Sequence, residues 1–209
     1  MRISLGDVSL WFDVSGPSVI PRGDTTVERP VLVAVHGGPG LDHLTVKSAL
    51  GPLAEDFQVV YFDLRGHGRS DHSSAEFWNM RTWADDLRWL CDALGLRKPG
   101  ESRQLQARMI KNTDVALHYS THEVHAFDPW SVIGAVRCPV LVLAGEDDPV
   151  CPLPVVEELA GQLPAETTRL VRLPRARHTI FRDCPDLAFP AVRHFVSQVR
   201  ESRQAADAS

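Results

Sequence analysis

Val31-Leu32-Val33-Ala34-Val35-His36-Gly37-Gly38-Pro39-Gly40 is an unbroken apolar run that ends in a glycine-rich turn. Apolar residues without alternation read as a strand covered on both faces, the pattern of a buried parallel sheet. The glycines then stop the strand at its carboxyl end. They also let backbone N–H groups come close to a substrate, which is how an oxyanion hole is built. Taken alone, Gly-Gly-Pro-Gly is equally a plain tight turn. Its position directly after a core strand favours the functional reading.

Working outward, residues 2 to 14 alternate through Ile3, Leu5, Val8, Leu10, Phe12 and Val14 around Gly6-Asp7, which predicts a β-hairpin. Gly16 to Pro30 reads as a polar loop. Further apolar runs lie at Phe57 to Phe62, Val140 to Ala144 and, more weakly, Thr168 to Leu173. Helical spacing appears between them. Trp83, Leu87, Leu90 and Leu94 recur within Thr82 to Leu94, and Gly95 follows as a stop. Val155 to Leu163 and Leu187 to Val199 read as helices too, with Pro190 tolerable only near a helix start. Strands alternating with helices predict an α/β fold with a mostly parallel, doubly wound sheet and an N-terminal β-hairpin. One domain over 1–200 and a frayed polar tail over 201–209 complete the expected organisation. Lys98 to Val136 holds no apolar strand run.

The 209 residues carry 22 basic and 27 acidic side chains, a net charge of -5, so no basic field is present to hold nucleic acid or an anionic membrane. A small molecule or short peptide is the expected partner. The start Met1-Arg2-Ile3-Ser4 lacks the apolar stretch of a signal peptide, and no segment is long and apolar enough to span a bilayer, so a cytoplasmic location is expected. Cys91, Cys138, Cys151 and Cys184 show no C-x-x-C spacing and read as free thiols. No cofactor is called for.

Three motifs follow the first. Phe62-Asp63-Leu64-Arg65-Gly66-His67-Gly68-Arg69-Ser70 is a second turn after a strand. Val140 to Pro152 contains Gly145-Glu146-Asp147-Asp148. Leu173 to Phe181 offers a single loop histidine, His178. The His36 to Gly40 string followed by Leu41-Asp42-His43 resembles the prolyl aminopeptidases, a branch of the α/β hydrolases. The second turn is similar to the D-x-R-G-x-G-x-S turn of that superfamily, a structural element in which Ser70 is misplaced for a nucleophile. The resemblance implies that Asp148 is the triad acid, His178 the general base and Gly38 an oxyanion donor. Acid and then histidine, each after its own strand, is the hydrolase order. Without the resemblance, an acidic surface turn and a solvated histidine describe these positions as well.

The superfamily's G-x-S-x-G nucleophile turn, expected between the D-x-R-G turn and the acid, is missing. Gly95 to Pro99 reaches the point where the family's nucleophile strand begins, and the chain then passes directly to Gly100-Glu101-Ser102-Arg103-Gln104. Ser102 is a weak candidate nucleophile, since no apolar strand anchors its turn. The resemblance therefore implies a truncated α/β-hydrolase fold, with residues 100–136 a remnant of the lid. With the intervening strands gone, the runs at Val31 and Val140 are expected to pair directly. Self-association through altered sheet edges is the other expected outcome.

His118, His122 and His125 could place two imidazoles on one helical face. However, His122-Glu123-Val124-His125 is one residue short of H-E-x-x-H, and no metal site is expected. An aminopeptidase needs carboxylates for the substrate ammonium, and Glu123, Glu146 and Asp147 are available. Two functions remain open: a hydrolase scaffold for proline amides or esters with lost or very weak activity, and a non-catalytic binding protein. A deletion product without function is the third.

Overall fold

A computed structural model of the chain describes residues 1–96, 112–126, 128 and 130–207. The expected N-terminal ribbon is present: β1 (Arg2–Ser4) lies antiparallel to β2 (Ser9–Ser15), with Ile3 opposite Leu10. Within the expected loop over Gly16 to Pro30, β3 (Val19–Arg22) and β4 (Thr25–Glu28) form a second hairpin. Arg22 faces Thr25 across Gly23-Asp24, a two-residue turn of the kind that joins antiparallel strands. These strands are largely exposed, so no apolar run announced them.

Next come β5 (Val31–Ala34), α1 (Leu44–Leu50), a short 3-10 turn and β6 (Gln58–Phe62). β6 runs parallel to β5 and antiparallel to β2, giving the sheet order β1-β2-β6-β5. All five residues of β6 are buried, which explains a strand sequence without polar alternation. α2 (Met80–Ala93) starts at Asn79, whose side chain accepts the Thr82 amide at 2.9 Å. Trp83 and Leu90 on its inner face pack with Val8, Leu10, Phe12, Val14, Val60 and Phe62. Complete burial of one such leucine contributes about 1.5–3 kcal/mol. α3 (Thr113–His118) adds Val115 to this core and continues through a π-helical turn at Tyr119–Glu123 into α4 (Val124–Ala126).

The remaining elements are α5 (Trp130–Ile133), β7 (Val140–Gly145), α6 (Leu153–Gln162), β8 (Thr168–Leu173), α7 (Ile180–Asp183) and α8 (Pro185–Asp207). β7 and β8 are parallel, and Leu173, Ala176 and Ala188 centre the core beside them. None of the described helices is long and apolar enough to cross a membrane.

The described chain divides into two compact units, Met1–Phe127 and Asp128–Ser209. Two expectations need correction, one strand pairing and the tail. The direct pairing of Val31 with Val140 does not form: β5 and β7 belong to separate sheets. Each run is instead satisfied by the strand that follows it through one helical connection, β6 after β5 and β8 after β7. Among the described pairings two are parallel, β5 with β6 and β7 with β8, and the antiparallel ones come from the N-terminal hairpin, from β2 against β6 and from the β3–β4 hairpin. Finally, the tail is helical through Asp207. Glu, Arg, Gln and Ala are good helix formers, and the Ser197 hydroxyl donates to Glu201 at 2.8 Å one turn on.

Candidate functional site

In the first unit, the turn after β6 is a hydrogen-bonded frame. Asp63, fully buried, accepts the His43 amide at 2.8 Å, the His43 Nδ1–H at 2.7 Å and the Arg69 amide at 2.9 Å. Burial alone would raise its pKa, but these donors, His43 foremost, outweigh it and hold the carboxyl below the usual range. The Ser70 hydroxyl donates to the Asp63 carbonyl at 2.5 Å and accepts the Trp11 amide at 2.8 Å. Ser70 is therefore bound into the joint between β2 and the turn, in agreement with a structural role. Ser70→Ala is expected to cost about 1–3 kcal/mol, because the buried Trp11 amide is left without an acceptor; urea unfolding checks this.

His36 fastens the glycine turn to this frame. Its Nε2 accepts the Leu64 amide at 3.2 Å, so the neutral ring carries its proton on Nδ1, which lies 3.3 Å from the Gly37 carbonyl. Burial lowers the pKa of His36 and keeps it neutral, which suits a positioning group better than a base. Gly38 has φ +62, a left-handed conformation that L side chains rarely adopt. At Gly40 a Cβ would collide with the Asn112 carbonyl, and the Asn112 amide donates to the Gly40 carbonyl at 2.5 Å. Asn112 also donates to the Gly66 carbonyl at 2.7 Å and caps α3. One residue thus ties both glycine turns together.

Above the turn lies a cavity of about 330 Å³ walled by Val35, Gly37, Gly38, Leu64, Trp83 and Leu87, among others. It has the apolar lining and few polar groups usual for a small-molecule site. His67 also lines it; burial lowers its pKa to about 4, and its Nδ1 donates to the Arg65 carbonyl at 2.9 Å. The ring is therefore neutral near pH 7, with Nε2 unprotonated.

In the second unit, β7 and β8 each end in a loop, and the loops meet. His178 Nδ1 lies 3.0 Å from Asp148 Oδ2. A carboxylate only accepts, so Nδ1 carries the proton and Nε2 is left to act as a base. Asp148 is held by its own turn, for Oδ1 accepts the amides of Val150 at 2.8 Å and Cys151 at 3.1 Å. Burial opposes its charge, but the Cys151 amide, the His178 ring and the Val150 amide outweigh that and lower its pKa. The Asp148 side chain is 8% exposed and His178 56%, an acid sheltered behind an accessible base.

Comparisons with known proteins bear on the fold. A family model described as alpha/beta hydrolase fold matches residues 30–102. A proline iminopeptidase of Clostridium botulinum is 38% identical over 76 residues, which is 35% of this chain and 26% of that protein. One from Pestalotiopsis fici is 25% identical over 96 residues, 46% of this chain and 32% of that protein. These matches span a third or less of the relatives' own length. Among solved structures, a proline iminopeptidase-related protein of Thermus thermophilus superposes with a TM-score of 0.74 at 19% identity, covering 95% of this chain and 97% of that one. The chain is an α/β hydrolase by fold. Within that fold it resembles the proline iminopeptidases.

Within this fold the candidate residues fall into two groups. His36 to Gly40 stand at the carboxyl end of β5 in the first unit, and Asp148 and His178 meet in the second. Ser102 lies outside the described residues. Glu146 and Asp147 are exposed and Glu123 half-buried. The rings of His118 and His122 stack 4.9 Å apart. Among the described residues, however, the trio that brings three ligand-type side chains together is Asp148, Cys151 and His178, within 4.8 Å of one another. Both carboxylate oxygens of Asp148 already accept hydrogen bonds there. Sequence reading passed over Cys151 and Asn112. The signal for Cys151 was its place three residues after the acid, within reach of an Asx turn.

Proposed function

We propose that this chain is a hydrolase scaffold related to proline iminopeptidases, in which Asp148 and His178 keep the roles of acid and base. Gly38 supplies an oxyanion N–H, and hydrolysis of N-terminal proline amides or related esters by a serine mechanism is absent or very weak. The observation that carries the assignment is the Nδ1 to Oδ2 contact of 3.0 Å between two loops, each following a parallel strand. The reason for weak activity is in the sequence, which has no G-x-S-x-G between Ser70 and Asp148. An oxyanion hole and a binding pocket without a nucleophile leave only residual catalysis.

The test is incubation with a fluorophosphonate probe together with turnover of a prolyl anilide. No labelling and no turnover above the uncatalysed rate are expected. Labelling and turnover that both disappear in Ser102→Ala would identify Ser102 as a working nucleophile and sink the proposal.

A second reading, an interaction protein, is favoured by the outer strand of the first sheet. Val35 at its end is 47% exposed, and Val31 and Val33 border a cavity with Cys91 and Leu96. Apolar strands of this kind invite pairing with another chain. A single monomeric peak in size-exclusion chromatography with light scattering, over a range of concentrations, would count against self-association.

A further inference from the structure

The loop that carries Asp148 also carries a nucleophile. Because Asp148 Oδ1 accepts the amides of Val150 and Cys151, the chain bends back and brings Cys151 toward its own acid. The Cys151 sulfur, an Asp148 oxygen and a ring nitrogen of His178 lie within 4.8 Å of one another. Nδ1 of the imidazole is held by Asp148, so Nε2 is the nitrogen left to take a proton. Cys151 and His178 are both exposed, so a reagent can reach them. Pro152, next after Cys151, is the N-cap of the ten-residue helix α6 and offers it no side-chain hydrogen bond. The positive end of that helix dipole favours negative charge nearby.

We infer that Cys151 is a nucleophilic thiol served by the His178–Asp148 pair and able to accept an acyl group from an activated ester. His178 takes the thiol proton as the sulfur bonds to the acyl carbon. The ester C–O bond then breaks, and the imidazolium returns the proton to the leaving alkoxide. Water, deprotonated by the same ring, cleaves the S-acyl bond and regenerates the thiol. Amides are poor substrates for this route, because a thiolate leaves the tetrahedral adduct more readily than an amine does. The inference rests on the acid and base roles given above to Asp148 and His178. It adds a chemistry distinct from serine-dependent proline hydrolysis.

Cys138 is the internal control, since it is also a free, exposed cysteine of the same unit. The intact chain is treated with limiting iodoacetamide and, separately, with p-nitrophenyl acetate, and the modified peptides are read by mass spectrometry. Cys151 is expected to react about tenfold or more faster than Cys138, a modest general-base effect, and to carry the acetyl group. In His178→Ala the Cys151 rate is expected to fall to that of Cys138, while Cys138 itself is unchanged. Equal rates in the unaltered chain, or a Cys151 rate indifferent to His178→Ala, overturn the inference. So does stoichiometric zinc that blocks alkylation of Cys151 only, which would make the trio a metal site. Serine labelling by the fluorophosphonate probe would defeat the earlier proposal while leaving the Cys151 comparison intact.

Discussion

Asp86→Ala is expected to destabilise the first unit by about 3–5 kcal/mol, a large fraction of a small domain's stability, because it strands a buried cation. Arg65 is 2% exposed and Asp86 fully buried; Nε and Nη2 of the guanidinium meet the two carboxylate oxygens at 2.9 and 2.8 Å. Asp86 is the main cause that raises the pKa of Arg65, against the opposing effect of burial. The guanidinium also reaches Asp7 at 2.8 Å, but that carboxylate is 60% exposed. Asp7→Ala should therefore cost about 1 kcal/mol or less. Urea unfolding followed by tryptophan fluorescence separates the two, since Trp83 is buried beside the pair and donates to the Arg65 carbonyl at 3.0 Å. Replacing both partners by apolar residues, Arg65→Met with Asp86→Leu, is expected to recover much of the loss. Equal costs for Asp7→Ala and Asp86→Ala would remove the buried pair from its proposed role.

The second large effect is a loss of stability in mild acid. His67 has a pKa of about 4 in the folded chain against a reference of 6.5. Between those values the unfolded chain binds a proton that the folded chain refuses. Stability from this group is thus complete above pH 6.5, declines as the pH falls, and is lost by about pH 4. The gap corresponds to about 3 kcal/mol. His36, also lowered by burial, adds to the loss in the same direction. Asp63 acts further down: its folded pKa is depressed, so its contribution is present above the unfolded carboxylate value and disappears below it. The urea midpoint should fall steadily from pH 7.5 to pH 4.5. His67→Phe should flatten that slope while lowering the midpoint at pH 7.5, where the Arg65 carbonyl loses one of its two side-chain donors. An unchanged slope in His67→Phe would show that His67 is not buried in its neutral form.

The acid loss bears on function as well as on stability. His36 and His67 both line the cavity above the glycine turn, their rings 5.0 Å apart. Neutral rings in that wall make it a site for uncharged groups of a substrate. His178, the proposed base, belongs to the other unit.

Much of the fold was legible because its signals are local. Apolar runs without alternation marked β5, β6, β7 and β8, and helical spacing marked α2, since backbone geometry repeats over a few residues. The four motifs were readable for the same reason: each is a turn chemistry attached to a strand end. The β3–β4 hairpin escaped because it is exposed, and a strand that buries no face needs no pattern. The helical end of α8 escaped because polar residues suit a solvated helix as well as a frayed tail.

What sequence alone determined about this protein is the set of strand ends, the resemblance to α/β hydrolases and the missing serine turn. Tertiary structure alone decided which edges meet and which side chains touch. It joined His178 to Asp148 across thirty residues, brought Cys151 to the same two groups and left β5 and β7 in separate sheets. The physical reason is that hydrophobic periodicity records whether a residue is covered, while pairing depends on what the rest of the chain brings to that place.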